Sequence, residues 1–124
     1  MSDSRLNLGQ RGEAFVAYRL AHAGYTLLAR NWRHGKFGEI DIVAQRADEI
    51  VFVEVRTRRG PVQVAIDAAL TSVNARKQAQ LLRLAQAFLD AHHLHNVRWR
   101  IDVAAVGYEN GAFSLEIVRD AVEW

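Results

Sequence analysis

The residues that most restrict the fold run from Gly38 to Arg58 and read GEIDIVAQRADEIVFVEVRTR. Ile-Asp-Ile-Val-Ala and Ile-Val-Phe-Val-Glu-Val are rich in β-branched residues, and the polar loop Arg46–Glu49 separates them, which predicts a two-stranded hairpin. Setting Gln45 against Ile50 pairs Ala44 with Val51, Ile42 with Val53 and Ile40 with Val55, so one face is wholly apolar. The opposite face then pairs Val43 with Phe52, Asp41 with Glu54 and Glu39 with Arg56. A slip of one residue would break both faces together, so the pattern specifies its register. That register sets two carboxylates side by side in strands that otherwise read as core.

Opposed strand residues have Cβ atoms ~4.5–5.5 Å apart, and like charges held there repel. Three arrangements relieve the repulsion: one carboxyl keeps its proton, Arg56 or a lysine compensates, or a divalent cation bridges the pair. Oxygen ligands from adjacent strands, with positions left for water, suit Mg2+ or Mn2+. Two more residues reach toward this spot by helical periodicity. Glu13 lies with Val16, Ala17 and Leu20 on the apolar side of a first helix, where charge is costly without a partner. Lys77 starts the apolar stripe of a second helix in its first turn, where the helix dipole disfavours a cation. The competing reading is that both side chains snorkel to water at the helix ends.

The chain of 124 residues is long enough for a single domain, 1–124, with one core. Half of its residues are hydrophobic and one is proline, a composition of folded rather than disordered chains. It has no cysteine, which excludes disulfide scaffolds, thiolate metal sites and thiol nucleophiles. The N-terminus lacks a signal-like apolar core, and no stretch approaches the ~18 apolar residues that span a bilayer. A cytoplasmic chain with no membrane partner is therefore expected. Sixteen Lys and Arg against 14 Asp and Glu leave a net charge of +2, too little to identify a polyanionic partner. Clustering is more informative: Arg30, Arg33, His34 and Lys36 fall in one segment and Arg56, Arg58 and Arg59 in another. Arg30, Arg33, Lys36, Arg58 and Arg59 are the candidate nucleic-acid contacts, with solvated loops as the alternative.

Along the chain, LGQRGEAFVAYRLAHA predicts a helix stopped by Gly24, YTLLARNWR a strand, and HGKFG a turn into the hairpin. Gly60 and Pro61 end the hairpin, and VQVAIDAALTSV, ambiguous between loop and short helix, reads as mostly irregular. Asn74 is an N-cap for ARKQAQLLRLAQAFLDAHH, whose Leu81, Leu84, Ala85 and Phe88 form one stripe. WRIDVAAV and FSLEIV then flank Asn110-Gly111, a strong hairpin signal. The order α-β-β-β-α-β-β describes one α/β domain, and the helical connection between the third and fourth strands permits a parallel crossover. A mixed sheet of about five strands flanked by helices is the expectation.

The succession RGEAFVAYRLAHAGY, GEIDIVA, VFVEVRTR, SVNARKQAQLLRLAQAFL and RIDVAAV resembles the YraN-like family (UPF0102) over nearly the whole chain. That family is assigned to the restriction-endonuclease-like PD-(D/E)XK superfamily, where it is similar to archaeal Holliday junction resolvases. The resemblance implies a restriction-endonuclease-like mixed sheet and a metal-dependent phosphodiesterase site acting on DNA, including branched or structured DNA. By matching motifs it implies Asp41 and Glu54 as ligands of Mg2+ or Mn2+, joined by Glu13, the helix acid of the resolvase-like branch, as a third ligand, and Lys77 near an accessory polar position. Arg56 occupies the slot where active members usually carry lysine. A guanidinium, with a pKa above ~12, neutralises charge but does not act as a base. The same residues are compatible with a nucleic-acid-binding module of little catalytic power. Dimeric relatives of the resolvase type make a homodimer an expectation as well.

Three smaller features complete the reading. His92, His93 and His95 cluster at the end of the second helix, where imidazoles suit the dipole and the free carbonyls better than a metal site lacking an acid. The Asn-Gly hairpin register sets Asp102 opposite Arg119, which predicts a cross-strand ion pair. Tyr25 and Trp32, beside the basic segment, are expected to pack in the core or at its rim rather than stack on bases.

Overall fold

The structure, a computed structural model, describes residues 6–122. Its elements are α1 (Leu8–His22), β1 (Thr26–Arg33), a 3-10 turn (Gly35–Phe37), β2 (Glu39–Arg46), β3 (Glu49–Arg59), α2 (Val62–Ser72), α3 (Ala75–Ala91), β4 (Arg98–Glu109) and β5 (Ala112–Val118). The five strands form one sheet in the order β1-β2-β3-β4-β5. All neighbours are antiparallel except β3 and β4, which run parallel, and α2 and α3 supply the crossover between them. The sheet is thus mixed, as the strand and helix order led one to expect.

The sheet is buried on both faces. On one side Val16, Ala17 and Leu20 of α1 cover Ile42, Ala44, Val51, Val53, Val55, Ala104 and Val106. On the other, Ala69 of α2 and Leu81, Leu84, Ala85 and Phe88 of α3 cover Ile40, Val43, Ile50, Phe52 and Ile101. β3 lies in the middle of the sheet, which explains its almost unbroken apolar run. Glu54 is the exception in that run and is 3% exposed.

Two helix starts matter for the site. Asn7 caps α1 in a capping box with Gln10, and a Cβ added to Gly12 would lie 2.0 Å from Thr57 Oγ1. Glycine at that position lets α1 settle on β3 and so carries Glu13 toward the sheet. Asn74 caps α3 by accepting from Lys77 N at 3.0 Å, which makes Lys77 a first-turn residue, as expected.

The structure corrects the sequence reading of the fold in three places. The segment VQVAIDAALTS is a helix, α2, so the order is α-β-β-β-α-α-β-β. Arg46 and Glu49 pair with each other, which shortens the hairpin loop to Ala47 and Asp48, with Ala47 in the left-handed region at φ 54°. The third correction concerns the apolar face: Ile40 packs with Val43 on the α3 side instead of with Ile42. The alternation is reset at Asn31 of β1, whose φ is 50°. Ala29 and Trp32, on either side of it, both pack on the α3 face, although a regular strand would send them to opposite faces.

Candidate functional site

The β2–β3 ladder follows the expected register from Arg46–Glu49 to Ile42–Val53 and ends there. Below that point β2 stays paired with β1, through Trp32–Ile40 and Arg33–Glu39, while it parts from β3. Asp41 occupies the fork. Its Oδ2 accepts from Val55 N at 2.8 Å, so a side chain takes over the donor that the ladder leaves free. The fork brings Asp41 close enough to Glu54 for the two carboxyls to act on each other electrostatically.

Burial is the largest influence on Asp41 and the charge of Glu54 the next; together they push its carboxyl from 3.8 up to about 7. The Val55 amide and Lys77 oppose the shift without cancelling it. Glu54, buried in the core, is met by two cations: Arg56 Nη2 lies 3.0 Å and Lys77 Nζ 3.3 Å from Glu54 Oε2. The expected Glu39–Arg56 pair does not form, because the ladder has already opened at that level. Glu39 instead meets Arg33 at 3.3 Å and accepts weakly from Asn31 at 3.4 Å. Arg56 turns inward, and its Nε is buried without a hydrogen-bond partner.

Glu13 approaches from α1. It accepts a 2.8 Å hydrogen bond from Asn31 Nδ2, and burial raises its pKa despite that bond, with Asp41 and Glu39 adding to the rise. Asn31 was not singled out by sequence reasoning. It sits between the Arg30–Ile42 and Trp32–Ile40 pairs, level with Asp41, in a backbone conformation that non-glycine residues seldom adopt in mid-strand. Its amide links Glu13 and Glu39 around the fork. The available signal was slight: asparagine tolerates the left-handed region better than other side chains.

The structure therefore gathers Asp41, Glu54, Arg56 and Lys77 into one contact group, with Glu13 beside it. The donor set suits a hard divalent cation held by two carboxylates and completed by water and substrate oxygens, the usual habit of Mg2+. Among the described residues no group of three or more His, Asp or Glu side chains is arranged to hold a metal ion, so Glu13 stands outside the pair. The histidines at the end of α3 follow the helix-end expectation: His92 Nδ1 meets Phe88 O at 2.9 Å and its ring stacks on Phe88.

The basic candidates divide. Arg30 and Arg33 lie exposed on β1, and Arg33 is tied to Glu39. Lys36 is exposed in the 3-10 turn, and Arg58 and Arg59 are exposed at the end of β3, with Arg58 Nη1 donating to Thr57 O at 2.8 Å. Tyr25 and Trp32 are taken up in packing, as expected. Trp32 meets Phe88 edge-on at 5.3 Å, and the Tyr25 hydroxyl accepts from Arg100 at 3.3 Å. The Asp102–Arg119 pair does not form. The β4–β5 ladder keeps its predicted register only as far as Val103–Val118, and Asp102 accepts instead from Arg100 Nε at 3.0 Å and Asp120 N at 2.8 Å.

Comparisons with known proteins bear on the chain as a whole. Residues 12–106 match the model of a family described as "Uncharacterised protein family UPF0102". A UPF0102 protein of Roseiflexus castenholzii is 48% identical over 126 residues, covering 99% of this chain and 98% of its own. One from Chloroflexus aurantiacus is 45% identical over 112 residues, covering 90% and 88%. Among solved structures, that of Pyrococcus furiosus SfsA in complex with Ca2+ gives a TM-score of 0.35 at 16% identity, covering 94% of this chain and 64% of that one. A likeness at that score carries no argument about fold or function. No helix among the described residues is long and apolar enough to cross a membrane.

Proposed function

We propose that this chain, which belongs to the UPF0102 family, is a Mg2+- or Mn2+-dependent phosphodiesterase acting on nucleic acid, with DNA as the first substrate to try. The observation that carries this reading is the juxtaposition of a half-buried carboxyl, Asp41, and a buried one, Glu54, at the fork where β2 leaves β3. An acid pair of this kind raises the free energy of the fold when both are charged, and a divalent cation removes that penalty. In this reading the mixed sheet is the restriction-endonuclease-like core, Asp41 and Glu54 hold the metal, and Glu13 acts from beside the pair.

Bound there, Mg2+ or Mn2+ supplies Lewis acidity, lowering the pKa of water in its shell and offsetting charge on a phosphate. The protein side chains have separable parts. Lys77, the one amine in the group, is the residue able to exchange a proton with the attacking water. Arg56 stays charged and, through the exposed part of its guanidinium, donates to a phosphate oxygen as negative charge builds. Val55 N fixes the orientation of Asp41.

A specific observation favours a second reading. Arg56 and Lys77 already satisfy Glu54, which is the arrangement of a nucleic-acid-binding module whose acids are closed off from metal. Incubating the purified protein with single-stranded, duplex and branched DNA plus Mn2+ separates the two. The phosphodiesterase reading expects cleavage that an Asp41→Asn variant abolishes. Cleavage surviving in that variant, or no calorimetric binding of Mn2+ to the wild type, would sink it.

A further inference from the structure

The groove next to the acid pair has a chemistry that the site itself does not use. Phe37, Arg76, Ala79, Gln80 and Arg83 line an open groove of about 460 Å³, within the ~300–1,000 Å³ range of sites that take small molecules. Its place is set by two contacts: Gln80 Nε2 donates to Phe37 O at 2.7 Å, and a Cβ on Gly38 would stand 2.4 Å from the same nitrogen. Gly38 is followed by β2, and Lys77 lies one turn before Gln80 on α3, so the groove borders the fork that holds Asp41 and Glu54.

Phe37 is 51% exposed and presents its ring to solvent. It ends a ladder of rings, with His34 stacked on it at 5.6 Å and Trp32 stacked on His34 at 5.7 Å. The Arg83 guanidinium stands 5.6 Å from the Phe37 ring centre, near the outer limit of a cation–π contact. Arg76 and Arg83 are exposed, and among the described residues neither meets a carboxylate. Lys36 adds a third exposed cation next to Phe37. An aromatic platform flanked by unpaired arginines is complementary to a base and its adjoining phosphates.

We infer that this groove binds an unpaired nucleotide, its base on Phe37 and its flanking phosphates on Arg76 and Arg83, so that the preferred substrate is nucleic acid with single-stranded character beside the cleavage point. The inference rests on the proposed nucleic-acid reading and narrows its substrate. A base that stacks on Phe37 displaces the loosely held Arg83 guanidinium, which then swings to phosphate. A continuous duplex keeps its bases stacked on one another and has none to offer.

Fluorescence polarisation in EDTA tests this without any requirement for cleavage. The probes are a labelled oligothymidylate and a blunt duplex of equal length. Phe37→Ala is expected to weaken oligothymidylate binding by about 5-fold or more, the effect of losing one stacked base, and to leave duplex binding unchanged. Phe37→Trp is expected to restore or strengthen it. The Arg76→Ala/Arg83→Ala double variant is expected to reduce the salt slope by about 1.4, at ~0.7 for each phosphate that an arginine no longer neutralises. Phe37 and both arginines are exposed, and a circular dichroism melt checks that each variant folds. Equal losses on both probes, or no loss from Phe37→Ala, would overturn the inference even if Mn2+-dependent cleavage is found. Selective loss without any cleavage would leave it standing while the phosphodiesterase reading falls.

Discussion

Replacing Asp41 by asparagine tests the electrostatics of the fork while nearly preserving its shape. Burial and the neighbouring Glu54 lift the Asp41 carboxyl from 3.8 to about 7. At ~1.36 kcal/mol per pH unit, ionising Asp41 in the folded chain costs on the order of 4 kcal/mol more than in the unfolded one. The folded state therefore holds a proton that the unfolded state has released, and stability falls as pH rises from about 4 to about 7 and stays low above that. Asparagine carries no charge at any of these pH values, and its Oδ1 can still accept from Val55 N. The variant should match the wild type near pH 4 and exceed it by on the order of 4 kcal/mol near pH 8. Urea denaturation in EDTA, followed by fluorescence of the tryptophans, reads this as a midpoint displacement of about 1–3 M at the higher pH. Comparing the two proteins isolates Asp41, since every other side chain is common to both. A difference that is constant across pH, or that shrinks toward pH 8, would show that Asp41 is not held protonated by its surroundings.

Three further outcomes follow from the same geometry. Mn2+ should displace the Asp41 proton, so calorimetry in buffers of different ionisation enthalpy should show close to one proton released near pH 6 and none near pH 8.5, with apparent affinity rising about tenfold per pH unit below 7. Lys77→Met leaves Glu54 with Arg56 alone and should cost about 1–3 kcal/mol by urea denaturation; Arg56→Lys keeps a cation beside Glu54, should change stability by less than about 1 kcal/mol, and should raise any Mn2+-dependent cleavage, because it adds a second titratable amine. Gly12→Ala places a methyl group 2.0 Å from Thr57 Oγ1, so α1 must move off β3, at a cost of about 1–3 kcal/mol in the same assay.

The parts of the fold that sequence pattern revealed are those where burial repeats. The register from Ile42–Val53 to Gln45–Ile50 follows from alternation alone, because both faces of the hairpin are packed and a slip would be costly. α3 is as plain, with a cap at Asn74 and a buried stripe from Leu81 to Leu89. α2 was hidden because it breaks the amphipathic rule: its buried residues are the small Ala65 and Ala69, while Val64 and Leu70 are 44% and 69% exposed, and Pro61 offers no side-chain cap. The site was legible as a pair of acids but not as a fork. Alternation extends Asp41–Glu54 and Glu39–Arg56 as ordinary ladder pairs, and nothing local announces that the strands part at Asp41. What parts them is tertiary, since Asn31 in the left-handed region resets β1 and the Asp41 carboxylate replaces a main-chain acceptor for Val55 N. The consequence for Arg56 is specific. Freed from Glu39, it turns inward to Glu54 and leaves one buried Nε without a partner, so the residue that departs from the lysine pattern is a charged donor held beside the acid pair. An arginine in that position favours stabilisation of a phosphate over proton transfer. That places the demand for a base on Lys77, and it makes the comparison of Lys77→Met with Arg56→Lys the sharpest division between a working site and a closed one.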